Sequence, residues 1–142
     1  MSTELATQRV VTSLGFFGIA PFLIALIWPD QDIGEKAFQI YSLAILCFMA
    51  GSWWATSLIV GRLVTEKLVL LLLSNTFVLL SIGVVLFEVT GAFVVLGVFY
   101  GVLLFGESRF ATFSRQPIYY RRMRTVVTSI VMILHFLAAL HW

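Results

Sequence analysis

Five apolar stretches, each near the length that crosses a lipid bilayer, follow one another with only short polar breaks. They cover about residues 10–28, 37–60, 68–87, 91–108 and 125–142. A helix needs about 20 residues to cross the hydrocarbon, where only helices and closed barrels satisfy their own backbone groups. Only 11% of the residues are charged, well below the roughly 25% of a soluble domain. The sequence therefore predicts an all-α membrane protein, a single domain over residues 1–142 built as a bundle of about five transmembrane helices.

Basic residues fall almost entirely on one side of this predicted bundle. With the N-terminus inside, the cytoplasmic side holds Arg9, Arg62, Lys67, Arg109, Arg115, Arg121, Arg122 and Arg124, and the other side holds Lys36 alone. Because short cytoplasmic loops are enriched in lysine and arginine, we expect the N-terminus inside and the C-terminus outside. The first stretch is expected to stay as a span rather than be cleaved, since no small-residue cleavage site precedes Pro29. The link between the third and fourth stretches is short enough to predict an antiparallel hairpin.

Small residues predict where the helices touch. Lipid tails are as apolar as leucine, so membrane helices associate through close packing and polar contacts. The glycines expected at such contacts are Gly15, Gly18, Gly51, Gly97 and Gly101, and Pro21 is expected to kink the first helix. The faces that carry these glycines serve packing within the bundle or contact with a second copy.

A few polar side chains within the spans form a possible intramembrane polar site. These are Trp54, Ser74, Asn75, Ser81 and His135. An ionisable group inside a membrane suggests function. The alternative is a neutral His135 imidazole bonded to a hydroxyl of a neighbouring helix, such as that of Ser74 or Ser81. His135 and His141 lie on different faces of one helix, so no haem is expected, and neither a metal site nor a cofactor is predicted.

The cytoplasmic segment of residues 109–124 alternates arginines with aromatic side chains. Such a segment is typical of a lipid-facing anchor at an anionic leaflet, or of a docking site for an acidic membrane-protein partner. The residues predicted for partner or lipid docking are Glu107, Arg109, Arg115, Tyr119, Tyr120, Arg121, Arg122 and Arg124. Glu107 is expected to pair with one of the arginines. A patch pressed against lipid does not favour binding of nucleic acid.

No catalytic motif is present, so no catalytic residue is assigned and the chain is not expected to be an enzyme.

Three blocks along the chain resemble an uncharacterised family of small multi-pass membrane proteins, found in bacteria and, as a related transmembrane protein, in mitochondria. The blocks are Leu14-Gly15-Phe16-Phe17-Gly18-Ile19-Ala20-Pro21-Phe22, then Tyr41-Ser42 leading to Phe48-Met49-Ala50-Gly51-Ser52-Trp53-Trp54, then Pro117-Ile118-Tyr119-Tyr120-Arg121-Arg122-Met123-Arg124 followed by Thr128. The resemblance implies a membrane location, about this number of spans, and the bacterial inner membrane as the compartment. It implies no activity.

Two functions follow as hypotheses. The first is a non-enzymatic accessory, assembly or interaction subunit of a membrane complex. The second is a small transporter or channel, formed as a homo-oligomer, for an ion or small solute. Both place the chain in contact with the bilayer and with anionic lipid at the cytoplasmic face.

Overall fold

The computed structural model describes residues 2–60 and 63–142, and every regular element among them is helical. In chain order these are α1 (Ser2–Phe17), α2 (Ala20–Leu26), α3 (Gln31–Val60), α4 (Val64–Leu86), α5 (Ala92–Arg109), a 3₁₀ segment (Ala111–Arg115) and α6 (Ile118–His141). In this part of the chain five helical segments are long and apolar enough to span a membrane, the first being α1 and α2 together. The prediction of an all-α bundle with five spans is confirmed. Arg62, counted above among the basic residues, lies outside the described residues.

The first span is broken between α1 and α2, where Pro21 was expected to kink it. Proline has no backbone N–H, and its ring clashes with the carbonyl one turn earlier, so the helix cannot run on unbroken. The N–H of Phe22 bonds the carbonyl of Ile19 at 3.1 Å, which leaves the Gly18 carbonyl without its usual helical donor. The Tyr41 hydroxyl on α3 donates to this carbonyl at 3.0 Å. The break is thereby tied to the neighbouring helix.

The predicted hairpin of the third and fourth spans is confirmed in α4 and α5, which contact each other. Five residues join them, and the last, Gly91, has a φ of 75°. This left-handed conformation suits glycine, which has no Cβ to clash. The N–H of Val89 bonds the carbonyl of Val84 at 3.1 Å and closes the end of α4. The turn is short enough to hold the two helices antiparallel.

The centre of the bundle is built around α3 and α6. The buried face of α3 carries large side chains, among them Phe38, Leu46, Met49 and Trp53. The buried face of α6 repeats at steps of three and four residues and holds Arg124, Thr128, Val131, His135 and Ala138. α3 contacts α2, α4 and α5, whereas α6 contacts α1, α2 and α5. Each central helix therefore presents polar as well as apolar groups to the interior.

The structure places Gly15, Gly97 and Gly101 against α6. A Cβ added at Gly97 would lie 3.0 Å from the Cβ of His135, and one at Gly101 would lie 2.9 Å from Cε of Met132. A Cβ at Gly15 would overlap the Met123 side chain. These three glycines therefore let α1 and α5 approach α6 closely.

Gly18 and Gly51 do not pack against α6 as those three glycines do. Gly18 meets α3 through its carbonyl, which accepts the Tyr41 hydroxyl. Gly51 faces outward, with nothing within 4 Å of an added Cβ, so its prediction as a packing glycine is wrong for this bundle. The reason is that α3 turns its large side chains inward, which leaves the face of Gly51 on the outside.

Candidate functional site

A cluster of five polar and aromatic side chains joins α3, α5 and α6 near the end of the bundle that holds the 3₁₀ segment. We call that end the basic end, because the exposed side chains of Arg109, Arg115, Arg121 and Arg122 and the half-buried side chain of Lys67 lie there. The cluster, the Glu107 cluster below, consists of Ser52, Trp53, Glu107, Tyr120 and Arg124.

Arg124 and Glu107 form the centre of the Glu107 cluster as a two-point ion pair. Arg124 Nε donates to Glu107 Oε2 at 2.7 Å, and Arg124 Nη2 lies 2.6 Å from Glu107 Oε1. The two side chains are only 8% and 10% exposed. Paired, planar contacts of this kind are the strongest that arginine makes with a carboxylate. The predicted pairing of Glu107 with an arginine is confirmed.

Three further side chains complete the hydrogen bonding of this ion pair. Trp53 Nε1 donates to Glu107 Oε1 at 2.9 Å. Arg124 also donates to the Tyr120 hydroxyl at 3.1 Å and to Ser52 Oγ at 3.0 Å. Buried charges are stable only when such bonds replace the lost solvation. The Glu107 cluster is therefore a satisfied polar junction that holds three helices together.

The predicted docking residues separate into two groups. Glu107 and Arg124 are buried against each other and are not a docking surface, which corrects that part of the prediction. The reason is that α6 begins at Ile118, ahead of the span start expected near residue 125, so its first turns carry Arg124 into the bundle. Tyr119 and Tyr120 are half-buried. Arg109, Arg115, Arg121 and Arg122 are exposed at the basic end.

His135 is fully buried at the centre of a second cluster, which we call the His135 cluster and which includes Ser42 and Tyr100. Its Nδ1 lies 2.8 Å from the Val131 carbonyl and its Nε2 lies 2.7 Å from Ser42 Oγ. A carbonyl only accepts, so we infer that Nδ1 carries the hydrogen. Full burial favours the neutral imidazole, whose Nε2 is then an acceptor, and we infer that the Ser42 hydroxyl donates to it. Both ring nitrogens are then used.

Aromatic rings enclose the His135 imidazole on several sides. The ring centroids of Phe38, Tyr100 and Phe22 lie 4.9, 5.0 and 5.6 Å from that of His135. The Tyr100 hydroxyl donates to the Ser42 carbonyl at 3.0 Å. This arrangement links α2, α3, α5 and α6 around one polar pair.

The other members of the predicted intramembrane polar site do not join His135. The hydroxyl that bonds His135 belongs to Ser42, rather than to Ser74 or Ser81 as expected. Ser74, Asn75 and Ser81 each donate to a carbonyl of α4 itself, three or four residues earlier in the chain. Trp54 faces outward and is 44% exposed, whereas its neighbour Trp53 is buried. The predicted polar site is therefore divided among separate places in the fold.

Sequence reasoning missed four residues of the two clusters: Ser42, Ser52, Trp53 and Tyr100. The spacing of Tyr120 and Arg124, four residues apart, is a signal that could have placed two members of the Glu107 cluster on one face of a helix. No comparable signal linked Ser42 to His135, because the two residues lie 93 positions apart.

Replacing Ser42 with alanine is expected to lower the free energy of unfolding by about 1–3 kcal/mol, because His135 Nε2 loses its donor inside the bundle. Ser74→Ala is the matched control. The Ser74 hydroxyl bonds a carbonyl of its own helix, so its loss should change the free energy of unfolding by less than about 0.5 kcal/mol. Unfolding in detergent micelles, followed by circular dichroism, measures both. Equal losses of unfolding free energy in the two variants would show that the Ser42–His135 hydrogen bond does not stabilise the bundle more than a bond within one helix.

Comparison with known proteins gives a family without an assigned function. The family model described as a protein of unknown function (DUF3429) matches residues 7–140. No curated protein and no solved structure matches the chain.

Proposed function

The chain belongs to the DUF3429 family of proteins of unknown function, and we propose that it is a non-enzymatic accessory subunit that docks a membrane-protein partner through its basic end. The chain is an integral membrane protein, and its proposed role is to hold or help assemble a membrane complex. The observation that carries the proposal is that the charged side chains of Glu107 and the nearby arginines fall into a buried group and an exposed group. The pair Arg124–Glu107 is buried and satisfied, whereas four arginines are exposed close together in the chain.

The exposed arginines are well suited to binding an acidic surface. Arg109 ends α5, Arg115 ends the 3₁₀ segment, and Arg121 and Arg122 lie in the first turns of α6. The 3₁₀ segment is anchored by the buried Phe113 and by a 2.9 Å bond from the Thr112 N–H to Glu66 of α4. A surface with an excess of positive charge on a rigid base favours fast and specific association with a partner of opposite charge.

We place the basic end in the cytoplasm and the chain in the bacterial inner membrane, with the N-terminus inside. The bias of lysine and arginine toward one side supports the orientation. Spanning by helices rather than by a barrel supports an inner membrane, since outer-membrane proteins of bacteria are typically barrels. Reporter fusions at Trp142 test the orientation, and a cytoplasmic signal from that position would overturn it.

The test of the proposed function is purification of the tagged, full-length chain from its native membranes in a mild detergent. Wild-type chain should bring down another membrane protein in fixed ratio, and Arg122→Glu should reduce its retention about tenfold or more, since about 1.4 kcal/mol corresponds to a factor of ten. Lys36→Glu is the matched control, because it reverses an exposed charge outside the basic end. It should retain the partner fully.

Two outcomes would count against the proposal. Retention that is equal in Arg122→Glu and Lys36→Glu would remove the basic end as the docking surface. A particle of this chain alone, as a defined oligomer that passes ions or small solutes in liposomes, would favour a transporter or channel instead.

A further inference from the structure

A groove of about 440 Å³ runs between α5 and α6 at the basic end. We propose that it holds one anionic phospholipid of the surrounding bilayer, with the phosphate beside Arg121 and an acyl chain along Leu104 and Met132. This volume lies within the range of known ligand pockets, about 300–1,000 Å³. The inference concerns the isolated chain and does not depend on the partner proposed above.

Along α6 the lining of the groove becomes less polar with depth, from Arg121 through Thr125 and Ser129 to Met132. Gln116 and Arg121 line it near the start of α6, and Thr125 follows one turn deeper. Leu104 and Met132 line its deeper part. From Arg121 to Met132 the helix rises about 16 Å, which is about half the thickness of the hydrocarbon. A side chain at Arg121 therefore reaches headgroup level when Met132 lies near the middle of the bilayer.

The charges around the groove favour an anion, although Glu107 is part of its lining. Both carboxylate oxygens of Glu107 are occupied, by Trp53 and by Arg124, so the charge of this residue is balanced within the bundle. Arg121 then leaves the groove with a net positive charge. Arg109 does not line the groove, but its guanidinium lies 5.1 Å from the centre of the Phe105 ring, which does.

Small side chains leave the room that an acyl chain needs. Gly101 on α5 and Ser129 on α6 both line the groove, beside the larger Leu104 and Met132. The hydroxyls nearest the mouth are used within their own helices, since Ser108 donates to the Phe105 carbonyl and Thr125 to that of Arg121. Recognition of the phosphate is therefore assigned to the side chains of Arg121 and Gln116.

Native mass spectrometry of the purified, delipidated full-length chain tests the inference. Phosphatidylglycerol and phosphatidylcholine of the same acyl length are titrated in turn. One phosphatidylglycerol should bind about tenfold or more tightly than phosphatidylcholine, and Arg121→Gln should remove that preference. Arg122→Gln is the matched control, since it removes the same charge from the adjacent position of α6. It should keep the preference.

A second variant tests the acyl chain separately. Ser129→Leu fills the groove and keeps Arg121, and it should weaken phosphatidylglycerol binding about tenfold while circular dichroism shows an unchanged helical bundle. Equal losses in Arg121→Gln and Arg122→Gln would show only a general attraction of anionic lipid to the basic end. Competition by soluble glycerol phosphate as strong as that by phosphatidylglycerol would show an anion site without a lipid. Either result overturns the inference.

Discussion

Replacing Arg124 with glutamine will lower the free energy of unfolding by about 3–5 kcal/mol, because Glu107 is then left charged and unpaired within the bundle. Glu107→Gln will leave Arg124 unpaired in the same way and will lower the free energy of unfolding by a similar amount. The effect is large because both side chains are about nine-tenths buried and neither can regain its lost solvation. Unfolding in detergent micelles, followed by circular dichroism, measures the change.

Two further variants separate the ion pair from a general effect of charge. The double variant Glu107→Gln/Arg124→Gln should be destabilised by clearly less than the sum of the two single variants, since it leaves no buried charge unpaired. Arg121→Gln removes an exposed arginine three residues earlier on the same helix and should cost less than about 0.5 kcal/mol. Additive effects of the two single variants would contradict the pairing as the source of stability.

Two adjacent tryptophans should differ sharply when each is replaced by alanine. Trp53→Ala is expected to lower the free energy of unfolding by about 3–5 kcal/mol, because it leaves a cavity in the packed interior. The Trp53 indole is 1% exposed, and the rings of Phe77, Phe110 and Phe113 surround it with centroids 5.4–6.1 Å away. It also approaches α5 so closely that a Cβ at Gly106 would overlap it.

Trp54→Ala is the matched control for Trp53→Ala. It removes the same side chain from the outward face of the same helix, where the tryptophan is 44% exposed, and should cost less than about 1 kcal/mol. The same micelle unfolding experiment compares the two. If both variants lost the same stability, Trp53 would not be the packing centre that joins α3, α5 and the 3₁₀ segment.

The sequence predicted the features of this fold that depend on local composition. Hydropathy located the five spans because each crossing must satisfy its backbone within one helix, whatever its neighbours are. The hairpin of α4 and α5 followed from the short link that ends at Gly91. The sequence also predicted that Glu107 would pair with an arginine, since a carboxylate at the membrane edge lay close in the chain to five arginines. Which arginine it would be depended on where α6 begins.

The sequence did not predict which face of each helix points inward. In a membrane both faces are apolar, so hydropathy does not distinguish them, and the choice rests on packing between helices. Small residues suggested an inward face at Gly51, but α3 buries Trp53 and Phe38 instead. The bond between Ser42 and His135 was missed for the same reason, because its geometry exists only once α3 and α6 are packed together.

Photocrosslinking in native membranes tests most directly whether the basic end is the docking surface of this protein. A photoreactive amino acid is placed at Ile118, which is 66% exposed at the basic end of α6, so that every arginine is kept. The matched position on the same helix is Leu140, which is 86% exposed near the far end of α6. Residue 118 should give one adduct, with the same protein that co-purifies in fixed ratio, and residue 140 should give none. An adduct only at residue 140, or only with a second copy of this chain, would contradict the proposed role of the basic end.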